Sequence, residues 1–183
     1  NSTHAETWPQ ALDGRADGFI FVLRPNGATS IVAEGLKFPN GMALSADEQT
    51  LYCAQTSAAD VMAFPVLPGA PLGPGRRYGP VLGKLQQEEP RPPAEDLGYT
   101  DGVGMDAEGN LWVCLPAANK VVAITPSLEV VTVIHDLSGD IVNHPTNITW
   151  GGPDLKDLYI GSIRAGYVLK GRSPVAGQPH IHQ

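Results

Sequence analysis

Residues 38–56, FPNGMALSADEQTLYCAQT, set a polar Asn-Gly corner directly before two apolar runs, and the same order returns twice further along the chain. The second copy is YTDGVGMDAEGNLWVCL at 99–115, and the third, looser copy is HPTNITWGGPDLKDLYIGSI at 144–163. Superposed, Leu44, Met105 and Trp150 coincide, as do Leu51-Tyr52, Leu111-Trp112 and Leu158-Tyr159. A unit that recurs at this spacing cannot bury its apolar face alone, so the copies must stack on one another. Because each copy is a set of short apolar runs separated by turn residues, the chain reads as all-β.

Each copy follows the strand order of a propeller blade. In the first, NGMALSAD is an inner strand, TLYCAQT pairs back on it, DVMAFPVL makes a third, and an outer strand is expected near residues 78–82. The second copy is cleaner: GVGMDAEG, NLWVCLPA, KVVAITP and EVVTVIHD are four strands in the 40 to 45 residues typical of a blade. The third supplies NITWGGPD, LYIGSI and GYVLKGR, and lacks a fourth strand. Ahead of the repeats, residues 18–33 form two runs around a Pro-Asn-Gly turn, a hairpin pattern. This hairpin is the expected lender of the strand that the third blade lacks.

Thirteen strands make little more than three blades, fewer than the four to eight of a closed ring. The expectation is half of a six-bladed β-propeller, either the C-terminal half of a longer protein or a half-ring completed by a second copy as a homodimer. Residues 1–17 read as loop, 18–177 as the partial propeller with an insertion loop at 86–96, and 178–183 as a tail. The insertion, QQEEPRPPAED, is broken by prolines and acids and accounts for the wider first repeat spacing.

The formal charge of −7 argues against a nucleic-acid groove, which needs clustered Lys and Arg, and suits a cation or a neutral substrate. An acidic excess of this size also serves solubility alone. No apolar run approaches the ~20 residues of a membrane helix. No signal segment is visible, although the chain starts at Asn1 without a Met, so the localisation reads as cytoplasmic or open. Cys53 and Cys114 fall at similar points of two repeats inside apolar strands and read as core thiols.

The motifs FPNGMALSADEQTLY, YTDGVGMDAEGNLWV and TNITWGGPDLKDLYIGS resemble successive blade starts of the SMP-30/gluconolactonase/luciferin-regenerating-enzyme family. The resemblance runs from about residue 18 to about 177 and implies a six-bladed propeller and a divalent-metal-dependent hydrolase, mostly of lactones. It also implies that Asn40, of the Asn-Gly pair, and Asp101, of the Asp-Gly pair, are metal ligands, with Asp101 the general base or nucleophile. An amide oxygen and a carboxylate are hard donors suited to Ca²⁺ or Mg²⁺, and Zn²⁺ is a further candidate. The bland alternative for both pairs is a turn whose side chain caps its own backbone.

In the family a Glu ligand stands at the start of the first blade, in a segment that would lie upstream of Asn1, and Thr100 replaces the usual Pro. Opposite Asn40 and Asp101 in the third copy stands Thr146, flanked by His144 and Asn147, which are expected on the substrate side. His180 and His182 read as a frayed end. Asp47, Asp106, Glu108 and Asp154 read as turn formers on the opposite ring face, and Leu44, Met105 and Trp150 as packing between blades. The resemblance therefore implies a lactone or ester as substrate. The alternatives are a propeller-type binding or scaffold module that has lost part of the metal site, and a strictosidine-synthase-like relative without a catalytic metal.

Overall fold

The computed structural model describes residues 11–69, 71–86 and 93–179. Thirteen antiparallel strands are present among them. A hairpin, β1 (Gly18–Leu23) and β2 (Thr29–Leu36), is followed by β3 (Pro39–Leu44), β4 (Thr50–Gln55), β5 (Asp60–Pro65) and a two-residue β6 (Arg76–Arg77) in one sheet. The next sheet holds β7 (Val103–Met105), β8 (Leu111–Leu115), β9 (Lys120–Ile124) and β10 (Val130–His135). The last holds β11 (Pro145–Gly151), β12 (Asp157–Ser162) and β13 (Leu169–Arg172). No helix here is long and apolar enough to cross a membrane.

Two-sided burial of the middle blade explains its continuous apolar runs. All five residues of β8 are buried. Since successive side chains of a strand point to opposite faces, Leu111, Val113 and Leu115 pack with Val122 and Ile124 against Ala54 and Val61 of the first blade. Trp112 and Cys114, on the other face, pack with Val121 and Ala123 against Ile148, Trp150, Leu158 and Ile160 of the third. The Trp112 and Trp150 rings meet edge to face, 5.1 Å between centroids. Both thiols are buried and unbridged, and burial pushes the Cys53 thiol up to about 12. They are core residues, as their strand positions suggest.

Three local expectations need correction. The hairpin does not complete the third blade: β1 pairs with β2 alone, and Ile20 and Leu36 pack on Cys53 and Phe64 of the first blade. Alternation in β1 marks one buried face but says nothing of what covers it. The outer strand expected at 78–82 is reduced to Arg76–Arg77 pairing with Met62 and Ala63. Beyond it Pro80 has no N–H to give a ladder, and only single bonds, Tyr78 N–H to Val61 O and Leu82 N–H to Ala59 O, tie the segment to the sheet. Leu44 is 39% exposed, unlike Met105 and Trp150. It follows Ala43, which packs toward the middle blade, so its side chain points to the other face of β3.

Asp47, Asp106 and Asp154 are turn formers. The buried Asp106 carboxylate accepts bonds from Glu108 N–H, Asn110 N–H, Asn110 Nδ2 and Trp112 Nε1. Past β13 the chain returns beneath the blades: Ala107 N–H donates to Ala176 O and Gln178 N–H to Met105 O. Gly177 lies against Trp150, where a Cβ would stand 2.5 Å from the indole. Residues 87–92, most of the 86–96 insertion, together with 1–10 and the tail histidines His180 and His182, lie outside the described residues.

Candidate functional site

The inner strands β3, β7 and β11 open side by side, and glycine makes their approach close enough for backbone contact. Gly41 N–H donates to Asp101 O at 3.2 Å, and Gly102 N–H to Thr146 O at 2.8 Å. A Cβ on Gly41 would stand 2.6 Å from Asp101 O, and one on Gly102 2.5 Å from Thr146 O. Neither obstacle is a flexible side chain, so both positions require glycine for space. Asn40 and Thr146 sit where the pairing of their strands slips, between Pro39 and Met42 and between Pro145 and Asn147. Such bulges re-aim a side chain out of the ladder.

Asn40, Asp101, Thr146 and His144 line one cavity of about 320 Å³. Within it Asn40 Nδ2 donates to Thr56 Oγ1 (3.1 Å), and Thr56 Oγ1 donates to Thr100 O (2.7 Å). The Asp101 N–H is held by Cys114 O at 3.0 Å. Burial pushes the Asp101 carboxyl up to about 6, while bonds from the Asn40 side chain and the Gly102 N–H pull the other way. Among the described residues no positive charge offsets that burial at the Asp101 carboxyl. With Nδ2 committed as donor, Oδ1 is the Asn40 atom that a cation would take.

His144 is reached through the neighbouring blade. Its backbone sits in the left-handed region at φ 49°, like the equivalent Phe38 at 53°. Its N–H donates to Oδ1 of the buried Asn119 at 2.8 Å, and Nδ1 meets Asn143 Oδ1 at 2.7 Å. Burial first and the Arg164 charge second hold the ring toward its neutral form. Asn147 is not brought into this group: it is exposed, its Oδ1 accepts from Ile148 N–H (2.9 Å), and it lies outside the cavity lining.

Thr56, Tyr99 and Arg164 were not expected at the site. Thr56 and Arg164 follow the second strands of their blades, and antiparallel pairing returns those ends to the side where the inner strands begin. The rule was available in the repeat, since Thr56, Pro116 and Ile163 all follow a second strand and all line the cavity. Among the described residues there is no group of three or more His, Cys, Asp or Glu side chains that could hold a metal.

Stacked blades whose inner strands open together on one cavity define a β-propeller, here about half of a six-bladed ring. Residues 5–164 match the SMP-30/Gluconolactonase/LRE-like region. The chain belongs to that family. Regucalcin of Xenopus laevis is 29% identical over 171 residues, covering 91% of this chain and 52% of the regucalcin. Pentonolactonase XacC of Haloferax volcanii is 26% identical over 153 residues, covering 79% and 45%. The solved structure of a calcium-binding protein, regucalcin, from Agrobacterium tumefaciens shares the fold with a TM-score of 0.65 at 17% identity, covering 91% of this chain and 55% of that one. The chain thus spans about half the length of the relatives it matches.

Proposed function

We propose that Asn40 and Asp101 are ligands of a divalent cation in a lactonase-type ester hydrolase. The single observation that carries this is their meeting, from adjacent inner strands, at one cavity. Family membership and a pentonolactonase among the relatives support the reaction class. The donor set fits a hard cation: one amide oxygen and one carboxylate suit Ca²⁺ best, with Mg²⁺ or Zn²⁺ as alternatives. Ca²⁺ takes about six to eight oxygens, so the other positions fall to water, substrate and groups outside the described residues. When bound, the cation supplies Lewis-acid polarisation of the ester carbonyl.

In this reading Asp101, ionised beside the cation, takes the proton of the attacking water. Asn40 orients it through their shared hydrogen bond, and Thr56 fixes Asn40. His144 borders the substrate. The test is hydrolysis of simple γ- and δ-lactones with and without added Ca²⁺. Calcium-dependent turnover that is lost in Asp101→Ala supports the reading; turnover indifferent to both removes it.

A non-catalytic propeller module is favoured by one observation: among the described residues no three or more His, Cys, Asp or Glu side chains group so that they could hold a metal. It predicts calcium binding or ligand binding without hydrolysis. Either reading is compatible with a two-fold dimer, for which Phe21, Leu23 and Ile31 on the hairpin offer exposed apolar contact.

A further inference from the structure

The walls of the cavity say more about the substrate than its metal-facing end does. Leu12, Leu97, Pro116, Ala117 and Ile163 put apolar side chains around it, between the polar ones of Asn40, Thr56, Tyr99, Thr146 and His144. Set among them is one permanent cation, Arg164. Its segment is pinned by Ser162 Oγ, which accepts the N–H groups of Arg164 (3.0 Å) and Ala165 (2.9 Å) and donates to Asn143 O. The ion pairs of the described residues use Arg15, Lys84, Lys170 and Arg172, and none uses Arg164. Its charge also bears on the ring of His144, another residue of the lining. Asp101, in the same lining, disfavours an anion at its own end.

From the partly apolar lining and Arg164, which forms no ion pair among the described residues, we infer that the site takes an ester or lactone with an apolar portion and one carboxylate, seated on the Arg164 guanidinium. The planar fork of Arg matches a carboxylate in two parallel hydrogen bonds. Asp101 and Arg164 then orient the molecule, ester toward one and carboxylate toward the other. The inference rests on the hydrolase reading of the same cavity.

An inert mimic separates the two ideas: N-benzyl pyroglutamate, a γ-lactam with an apolar group and a free carboxylate, compared with its methyl ester. Titration calorimetry with the wild-type chain in calcium buffer should show the carboxylate binding about tenfold or more tighter than the ester, as a charge-assisted bidentate pair implies. In Arg164→Gln the ratio should fall to within about twofold, and Arg164→Lys should recover part of it. Circular dichroism checks that the variants fold. A wild-type ratio near one, a ratio unchanged in Arg164→Gln, or no binding of either compound overturns the inference. Charge preference without turnover of any lactone leaves it standing and removes the hydrolase reading; lactone turnover without charge preference does the reverse.

Discussion

Replacing Asp101 by Asn should stabilise the metal-free chain at neutral pH. The folded carboxyl is raised by burial from 3.8 to about 6. Between these values the native state binds more protons than the unfolded state, so stability falls as pH rises through that window and stays low above it. At 1.36 kcal/mol per pH unit the full penalty is about 3 kcal/mol, and screening of the partly exposed group reduces it to about 1–2 kcal/mol. Asn keeps an acceptor for the Asn40 side chain and the Gly102 N–H and never carries the charge. Urea unfolding with a chelator present, followed by the fluorescence of Trp112 and Trp150, measures the difference. Asp101→Asn should match the wild type near about pH 3.5, gain steadily to about pH 6.5, and hold its advantage above that. A variant that is no more stable at neutral pH, or whose gain does not depend on pH, refutes the electrostatic account of the site.

Gly102→Ala should cost about 2–3 kcal/mol in urea unfolding, because the added methyl group meets the Thr146 backbone and its neighbour strand cannot yield cheaply. Asp106→Ala should cost about 3 kcal/mol or more by the same assay, since it strands four donors, Trp112 Nε1 among them. Thr56→Val, which keeps shape but removes the hydroxyl between Asn40 and Thr100, should weaken calcium binding in calorimetry by about tenfold while changing stability by only about 1 kcal/mol. Sedimentation should give a dimer that Leu23→Lys weakens, as expected of an apolar contact on the exposed hairpin face.

The blades were legible because burial on both sides leaves an unmistakable pattern. LWVCL and VVAI alternate between two cores, so every position is apolar, and turn residues bound each run. The meeting of Asn40 and Asp101 at one cavity was legible through the repeat, which aligns both at strand starts, while their role as ligands comes from the family resemblance; alone, either pair reads as a turn. What the sequence could not carry is contact between non-neighbours. The hairpin pattern of 18–33 is compatible with covering either end of the stack, and only the packing of Ile20 and Leu36 on Cys53 and Phe64 chooses the first blade. Thr56 and Arg164 are a different case, since the repeat itself carries the signal: the end of each second strand returns to the side where the inner strands begin. Asn147 was expected on the substrate side, yet the slip in pairing after Pro145 leaves Thr146 in the cavity lining and Asn147 outside it.

Thermal unfolding during a calcium titration, run in parallel on the wild type, Asn40→Ala and Asp101→Asn, tests the metal site most directly. Free Ca²⁺ at about a hundred times its dissociation constant adds about 2.7 kcal/mol to a state that binds it, or roughly 5–10 °C for a chain of this size. The account predicts that rise in the wild type and little or none in either variant. No rise in the wild type, or equal rises in all three, contradicts a cation held by Asn40 and Asp101.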